Sequence, residues 1–323
     1  MLGSTNPRMI TTALVLGALA GAASAQSYPT KPVRIVVPFG AGGGTDIQGR
    51  LLGKKFYESM GQVFVVDNRG GASGLIGAEI VAKSPPDGYT ILFTTASLAV
   101  TVSLYKQIGF DALKDLTPIS WLSSVALVLV VHPSVPAKSV RELVALAKRR
   151  PGEINVGSNG SGTTSHLSIE LMKQLTGVNV VHIPYKGGGP AITALLSGEV
   201  AFEFNTALTA KPHIAGGKLR ALAVTTEKPS SAFPGLPTLA SIYPGFVSDN
   251  WYAMFFPGGT SAELVAKMNA EIVKAIKSPD VREFITKEGG DPVGSTPEEL
   301  TRYFREEIEK YAKVVKAGNI KIE

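Results

Sequence analysis

Twice in this chain an apolar strand runs straight into a glycine turn that opens a helix. The first copy is VRIVVPF from Val33, then GAGGG, then a helical stretch opening at Thr45-Asp46. It carries an apolar stripe through Leu51, Leu52, Phe56 and Met60 and stops at Gly61. The second copy is INVGSN from Ile154, then Gly160-Ser161-Gly162, then Thr163-Thr164-Ser165. Its helix runs through Leu167, Leu171 and Leu175 to Gly177. A strand rich in Val and Ile without polar alternation is buried on both faces, the mark of a parallel sheet. Parallel strands need crossover helices, and VFVVDNR, YTILFTT and VNVVHIPY supply further strands between the helical stretches. The fold class is therefore α/β. Only two copies occur and they lie far apart, which points to one unit used in two lobes, not to a short tandem repeat.

A length of 323 residues suits two domains. ALVLVVHP from Ala126 and LRALAVTT from Leu219 are apolar segments ending in polar residues, so two crossings can join a middle lobe to a discontinuous outer one. The expected boundaries are 26–126 and 228–323 for the first lobe and 127–227 for the second. After a Pro/Gly-rich stretch from Phe233 to Pro244, helices are predicted to begin near Ser261, Pro279 and Pro297. The last carries a core stripe of Tyr303, Phe304, Ile308 and Tyr311. The 35 glycines and 21 prolines stay below the share that marks low complexity. The net charge of +6 is spread without a run of basic residues, so no nucleic-acid footprint is present. Cysteine is absent, which excludes disulfides, thiolate chemistry and Cys-ligated metal.

The first 25 residues read as an export signal. Arg8 gives the positive end, an apolar run of about a dozen residues follows from Met9, and Ala23-Ser24-Ala25 fits the small-x-small cleavage rule. A spanning helix needs ~20 apolar residues, and small or polar residues interrupt this run too early. The expectation is a periplasmic protein cleaved after Ala25.

Each glycine turn places free backbone N–H groups at a helix start, where the macrodipole favours an anion. From Gly40 the chain reads G-A-G-G-G-T, which fails the dinucleotide pattern at Thr45 and lacks the Lys-Ser/Thr of a phosphate loop. By itself such a turn is an anion site or merely a tight βα corner. Two of them, one per lobe, can face each other and grip both ends of a diacid. His166 is a packing or capping histidine more naturally than a ligand contact. Lys186, ahead of Gly187-Gly188-Gly189-Pro190, is a positioning or surface lysine. No serine sits in a G-x-S-x-G elbow. The four histidines (His132, His166, His182, His213) are scattered, so neither a catalytic residue nor a metal site nor a cofactor is expected. The competing classes are an exported serine hydrolase using the second turn and a ligand sensor for a membrane kinase.

The segments YPTKPVRIVVPFGAGGGTD, VVDNRGGASGLIGAEIVAKSPPDGYTILF, GSNGSGTTSHLSIE, HIPYKGGGPA, GKLRALAVTTEKPS and LPTLA, in that order, resemble the tripartite tricarboxylate transporter substrate-binding proteins. These are extracytoplasmic solute receptors also called Bug proteins. The resemblance implies a type II periplasmic-binding-protein fold: two α/β lobes closing by hinge motion on a small carboxylate, a dicarboxylate or an aromatic acid. It also implies delivery of that ligand to one large and one small membrane subunit, and the receptor is expected to be a monomer. Carried over by position, the first turn contributes Gly43, Gly44, Thr45 and Asp46, and the loop after YTILFTT contributes Ser97. The opposing turn contributes Ser158, Ser161, Gly162 and Thr163. The segment after GEVAFEF contributes Asn205 and Thr206. Many members have an aspartate where this chain has Asn205, and a neutral amide there removes one negative charge from the pocket.

Overall fold

The computed structural model describes residues 28–105, 108–230, 232–287 and 289–317. The expected signal peptide and its cleavage site lie outside the described residues. The described residues from Lys31 onward form one compact unit.

Strand β1 (Val33–Val37) is central to a parallel trio with β2 (Phe64–Asn68) and β3 (Thr90–Thr95). Val33, Ile35, Val36 and Val37 are fully buried, as their uniform hydrophobicity requires. Helix α1 (Gly44–Met60) links β1 to β2 and ends at Gly61, whose φ of 73° lets its N–H reach the Tyr57 carbonyl. Helices α2 (Leu75–Ala82) and α3 (Ser97–Leu104) flank β3.

Strand β4 (Leu116–Val131) is long enough to belong to two neighbourhoods. Leu116 to Ala126 pair with β9 (Asp249–Pro257), and Leu127 to Val131 pair with β7 (Phe202–Thr206) and β8 (Arg220–Val224). After α4 (Val140–Arg149) a second parallel trio follows, with β5 (Asn155–Ser158) between β6 (Val181–Pro184) and β7. Its helices are α5 (Thr164–Thr176), α6 (Gly188–Ser197) and α7 (Ala207–Ala215). The sheet order β2-β1-β3-β9-β4-β7-β5-β6 thus contains the same motif twice, each time with the glycine-turn strand in the middle. The residues preceding α1 and α5, Gly43 and Thr163, share one conformation (φ −82°, ψ 165°). The unit recognised in the sequence is therefore a repeated β-α-β-α-β-α arrangement.

The segment 232–246, with the short helix α8 (Leu239–Ile242), packs Ala232, Phe233, Leu239 and Phe246 into the cores formed by Leu127, Val128, Phe202 and Phe204. It rides on the second trio, so packing returns to the first only with β9. Helices α9 (Ala262–Lys277) and α10 (Pro279–Lys287), strand β10 (Gly290–Pro292) and α11 (Pro297–Ala317) complete the described chain. Phe304 and Tyr311 of α11 are buried beside Trp251 and Phe255, and Trp251 Nε1 donates to Glu307 Oε2 at 3.0 Å.

Candidate functional site

In open α/β sheets the place for a ligand is beyond the carboxyl ends of the strands, where the strand order reverses. Here β1 and β5 are both such strands, and their glycine turns meet. A cavity of about 30 Å³ lies between them. Its wall is built from the starts of five helices: Gly44 and Thr45 of α1, Ser97 of α3, Thr164 of α5, Gly188 of α6, and Thr206 immediately before α7. Only α5 is capped by a side chain, Thr163 Oγ1 accepting from the His166 N–H; α1, α3, α6 and α7 have no side-chain cap. Uncapped helix starts carry free N–H donors and a partial positive charge, although the Ser97 N–H at the start of α3 is already accepted by Thr95 Oγ1 at 3.3 Å. Among the described residues no Lys, Arg or His lines the cavity. An anion held there is held by backbone dipoles, hydroxyls and amides.

Glycine makes the approach possible. A Cβ on Gly44 would sit 2.6 Å from Tyr252 Oη and 2.7 Å from Thr206 Oγ1, and one on Gly43 would sit 3.4 Å from the Gly189 nitrogen. The two halves are drawn together by direct bonds. Gly40 N–H donates to the Lys186 carbonyl at 2.7 Å, and Ser73 Oγ donates to the Ser161 carbonyl.

Of the residues expected from sequence, Gly43, Gly44, Thr45, Ser97, Asn205 and Thr206 are on the cavity wall. Asp46, Ser158, Ser161, Gly162 and Thr163 are not, because their groups build the turns. Asp46 turns back to accept the Gly42 N–H at 3.0 Å and pairs with Arg50 at 2.9 Å. Burial pushes its carboxyl up, but Arg50 and the Gly42 N–H outweigh this and hold it below the ordinary value. Ser158 is fully buried, accepts the Gly160 N–H and bonds His182 Nε2 at 2.5 Å. The Ser161 carbonyl takes the Ser73 hydroxyl, and Gly162 N–H donates to His166 Nδ1 at 2.9 Å. Thr163 caps α5 and donates to the Gly160 carbonyl. His166 is thereby a structural group: it stacks on His182 with ring centroids 4.1 Å apart and faces Glu170.

Sequence reasoning missed Phe39, Thr95, Asn159, Thr164, Gly188, Asn250 and Tyr252. Asn159 and Thr164 adjoin the expected positions and differ only in which way a turn points them, and Thr95 ends β3 two residues before Ser97. Gly188 lay in the K-G-G-G-P run, whose helix start was the available signal. Asn250 and Tyr252 come from β9, where nothing local marks them. Asn205 spends its whole amide internally: Nδ2 donates to Glu203 Oε1 and the Gly188 carbonyl, and Oδ1 accepts the Thr206 N–H.

The family described as "Tripartite tricarboxylate transporter family receptor" matches residues 49–320. Protein BugT of Bordetella pertussis is 40 % identical over 307 residues, covering 94 % of each chain. An R. palustris protein solved with adipate is 37 % identical with a TM-score of 0.88, over 91 % of this chain and 99 % of that one. MatC of Rhodopseudomonas palustris, solved with malate, is 31 % identical with a TM-score of 0.84, over 89 % and 100 %.

Proposed function

The chain belongs to the tripartite tricarboxylate transporter receptor family, and on that premise we propose that it captures a small organic carboxylate between its lobes and delivers it to the membrane subunits of such a transporter. The single observation that carries this reading is the convergence of five helix starts, four without a side-chain cap, on a cavity that has no cationic side chain among the described residues. Such a wall suits carboxylate oxygens. Its polar lining, with Phe39 and Tyr252 the only aromatic members among the described residues, favours a dicarboxylate over an aromatic acid. The diacids named for the two solved relatives, adipate and malate, support the same choice.

The family is one of receptors, not enzymes. The Ser158–His182 pair gives no reason to read a hydrolase here, since Ser158 is fully buried and off the cavity wall. In our reading residues 1–25 direct export to the periplasm and the receptor works as a monomer. The first lobe comprises residues 26–126 and the chain from about 249, and the second lies between them. Placing the return crossing at 249 instead of 228 follows the packing of Phe233, Leu239 and Phe246 on the second trio.

At about 30 Å³ the cavity is far below the roughly 300–1,000 Å³ of small-molecule pockets. A diacid therefore enters an opened form, which requires release of the Gly40–Lys186 and Ser73–Ser161 bonds. The ligand then favours a partly reclosed form, wider than this cavity, in which both turns still touch it. Calorimetry of the mature protein with succinate, malate, adipate and benzoate tests the reading, paired with small-angle scattering. The expected result is binding of at least one diacid at micromolar affinity, about −8 kcal/mol, with a smaller radius of gyration. Folded protein that binds none of the diacids, or binds one with an unchanged scattering profile, would overturn it.

A further inference from the structure

Behind the cavity wall lies a carboxyl group that the ligand-binding scheme leaves unused. Glu203 and Asn205 are two apart on β7 and so point to the same face of the strand. Glu203 is fully buried. Its Oε1 accepts from Asn205 Nδ2 at 2.8 Å, while Oε2 is buried with no hydrogen-bond partner among the described residues. Opposite Glu203 are Gly157 on β5 and Val130 on β4. The missing side chain of Gly157 leaves room for the carboxyl: a Cβ there would lie 3.4 Å from Oε2.

Asn205 passes this contact on. Its second amide hydrogen goes to the carbonyl of Gly188, the first residue of α6, at 3.1 Å. Its Oδ1 accepts the N–H of Thr206, the residue before α7, at 2.8 Å. One amide thus ties together two of the five helix starts on the cavity wall, and Glu203 takes the amide's remaining hydrogen.

We propose that Glu203 is the positioning residue of the cleft, acting as a neutral carboxylic acid that seats the Asn205 amide between the starts of α6 and α7. The inference rests on the carboxylate reading above. An ionised Glu203 would put a negative charge directly behind helix ends that must attract an anion, with Asn205 between them. The neighbouring titratable groups cannot offset that charge. Tyr185 lies beside it and donates to Glu199 at 2.6 Å, so this side offers a phenol and a second carboxylate, and no ion pair to Glu203 occurs among the described residues. Burial pushes the Glu203 carboxyl up to about 8, against the opposing effect of the Asn205 hydrogen bond.

The test uses the full mature protein, its Glu203→Gln variant, which keeps the acceptor but cannot ionise, and Glu203→Met, which removes the acceptor. Calorimetry with succinate, malate and adipate is run from pH 6.5 to 9.5, and denaturant melts without any acid from pH 5 to 9.5. Between pH 7.5 and 9 the parent should lose roughly tenfold in affinity for whichever diacid binds at pH 7. Glu203→Gln should match the parent at pH 7 and stay flat, and Glu203→Met should bind weakly throughout. In the melts the parent's stability should fall as pH rises toward about 8 and level off above, since the folded carboxyl keeps its proton longer than the unfolded one. Glu203→Gln should lack that fall. Identical affinity profiles for the parent and Glu203→Gln would overturn the proposal even if the melts differ, for the carboxyl would then titrate without reaching the cleft. If no diacid binds any form at pH 7, the carboxylate reading itself fails and the cleft role with it, while the melts still report whether Glu203 is neutral.

Discussion

Gly44→Ala is the smallest change that separates folding from closure. Gly44 is the first residue of α1, and a Cβ there meets Thr206 Oγ1 at 2.7 Å and Tyr252 Oη at 2.6 Å. Contacts under 3 Å force something to move. The Tyr252 hydroxyl is the far end of a long side chain and can yield, but Thr206 is β-branched, buried, and fixed at the junction of β7 and α7. It also belongs to the opposite trio, so the clash falls mainly on the closed form. Overpacking of this kind costs about 1–3 kcal/mol, which is roughly a 5- to 150-fold loss of ligand affinity. Against it stands the gain of Ala over Gly in a helix, up to about 1 kcal/mol, which acts in the open and closed forms alike. The variant should therefore melt within about 1 kcal/mol of the parent, bind its diacid at least fivefold more weakly, and contract less on ligand addition. Calorimetry, scattering and circular dichroism read the three effects separately. A folded Gly44→Ala protein with parental affinity and parental contraction would show that the two turns do not close on the ligand as described.

Two further outcomes follow from buried polar contacts. Burial raises the Glu170 carboxyl, but hydrogen bonds from His166 and Lys173 outweigh it and hold it at about 2. Its stabilisation is therefore present above pH 4.5 and lost as pH falls toward 2, at up to about 1.4 kcal/mol per pH unit. Glu170→Gln should flatten that acid limb in denaturant melts and leave neutral-pH diacid binding unchanged. Trp251→Phe removes the donor to Glu307 Oε2, whose carboxylate also meets Lys310 at 2.9 Å. The expected loss is about 2–4 kcal/mol, from the unmet acceptor and the smaller ring, seen as a lower denaturation midpoint.

Much of this molecule was legible without coordinates because the relevant physics is local. A Val/Ile strand such as Val33–Val37 declares its burial in its own composition. A glycine turn followed by Thr45 or Thr163 declares a helix start, and Gly61 and Gly177 declare its end through the left-handed conformation they adopt. Those features fixed the α/β class and the two-fold use of one unit. The matched family confirms the recognition carried by the same segments.

What the sequence could not determine depends on which surfaces meet. Asp46 and Thr163 have the right chemistry for a ligand, yet their side chains are consumed by Gly42, Arg50 and Gly160 within their own turns, and one residue of offset separates Thr163 from Thr164 on the wall. Asn250 and Tyr252 reach the cavity only because β9 lies between β3 and β4, far from both in sequence. The segment 232–246 reads as an irregular Pro/Gly stretch, and its allegiance is decided by where Phe233, Leu239 and Phe246 find an apolar face. Glu203 looks from its neighbours like any strand glutamate. Strand pairing with β4 and β5 and the absence of a side chain at Gly157 are what bury it behind Asn205. Backbone conformation and hydrophobic periodicity are written residue by residue along the chain, whereas burial, partnership and charge state are properties of contacts that exist only after distant segments have packed.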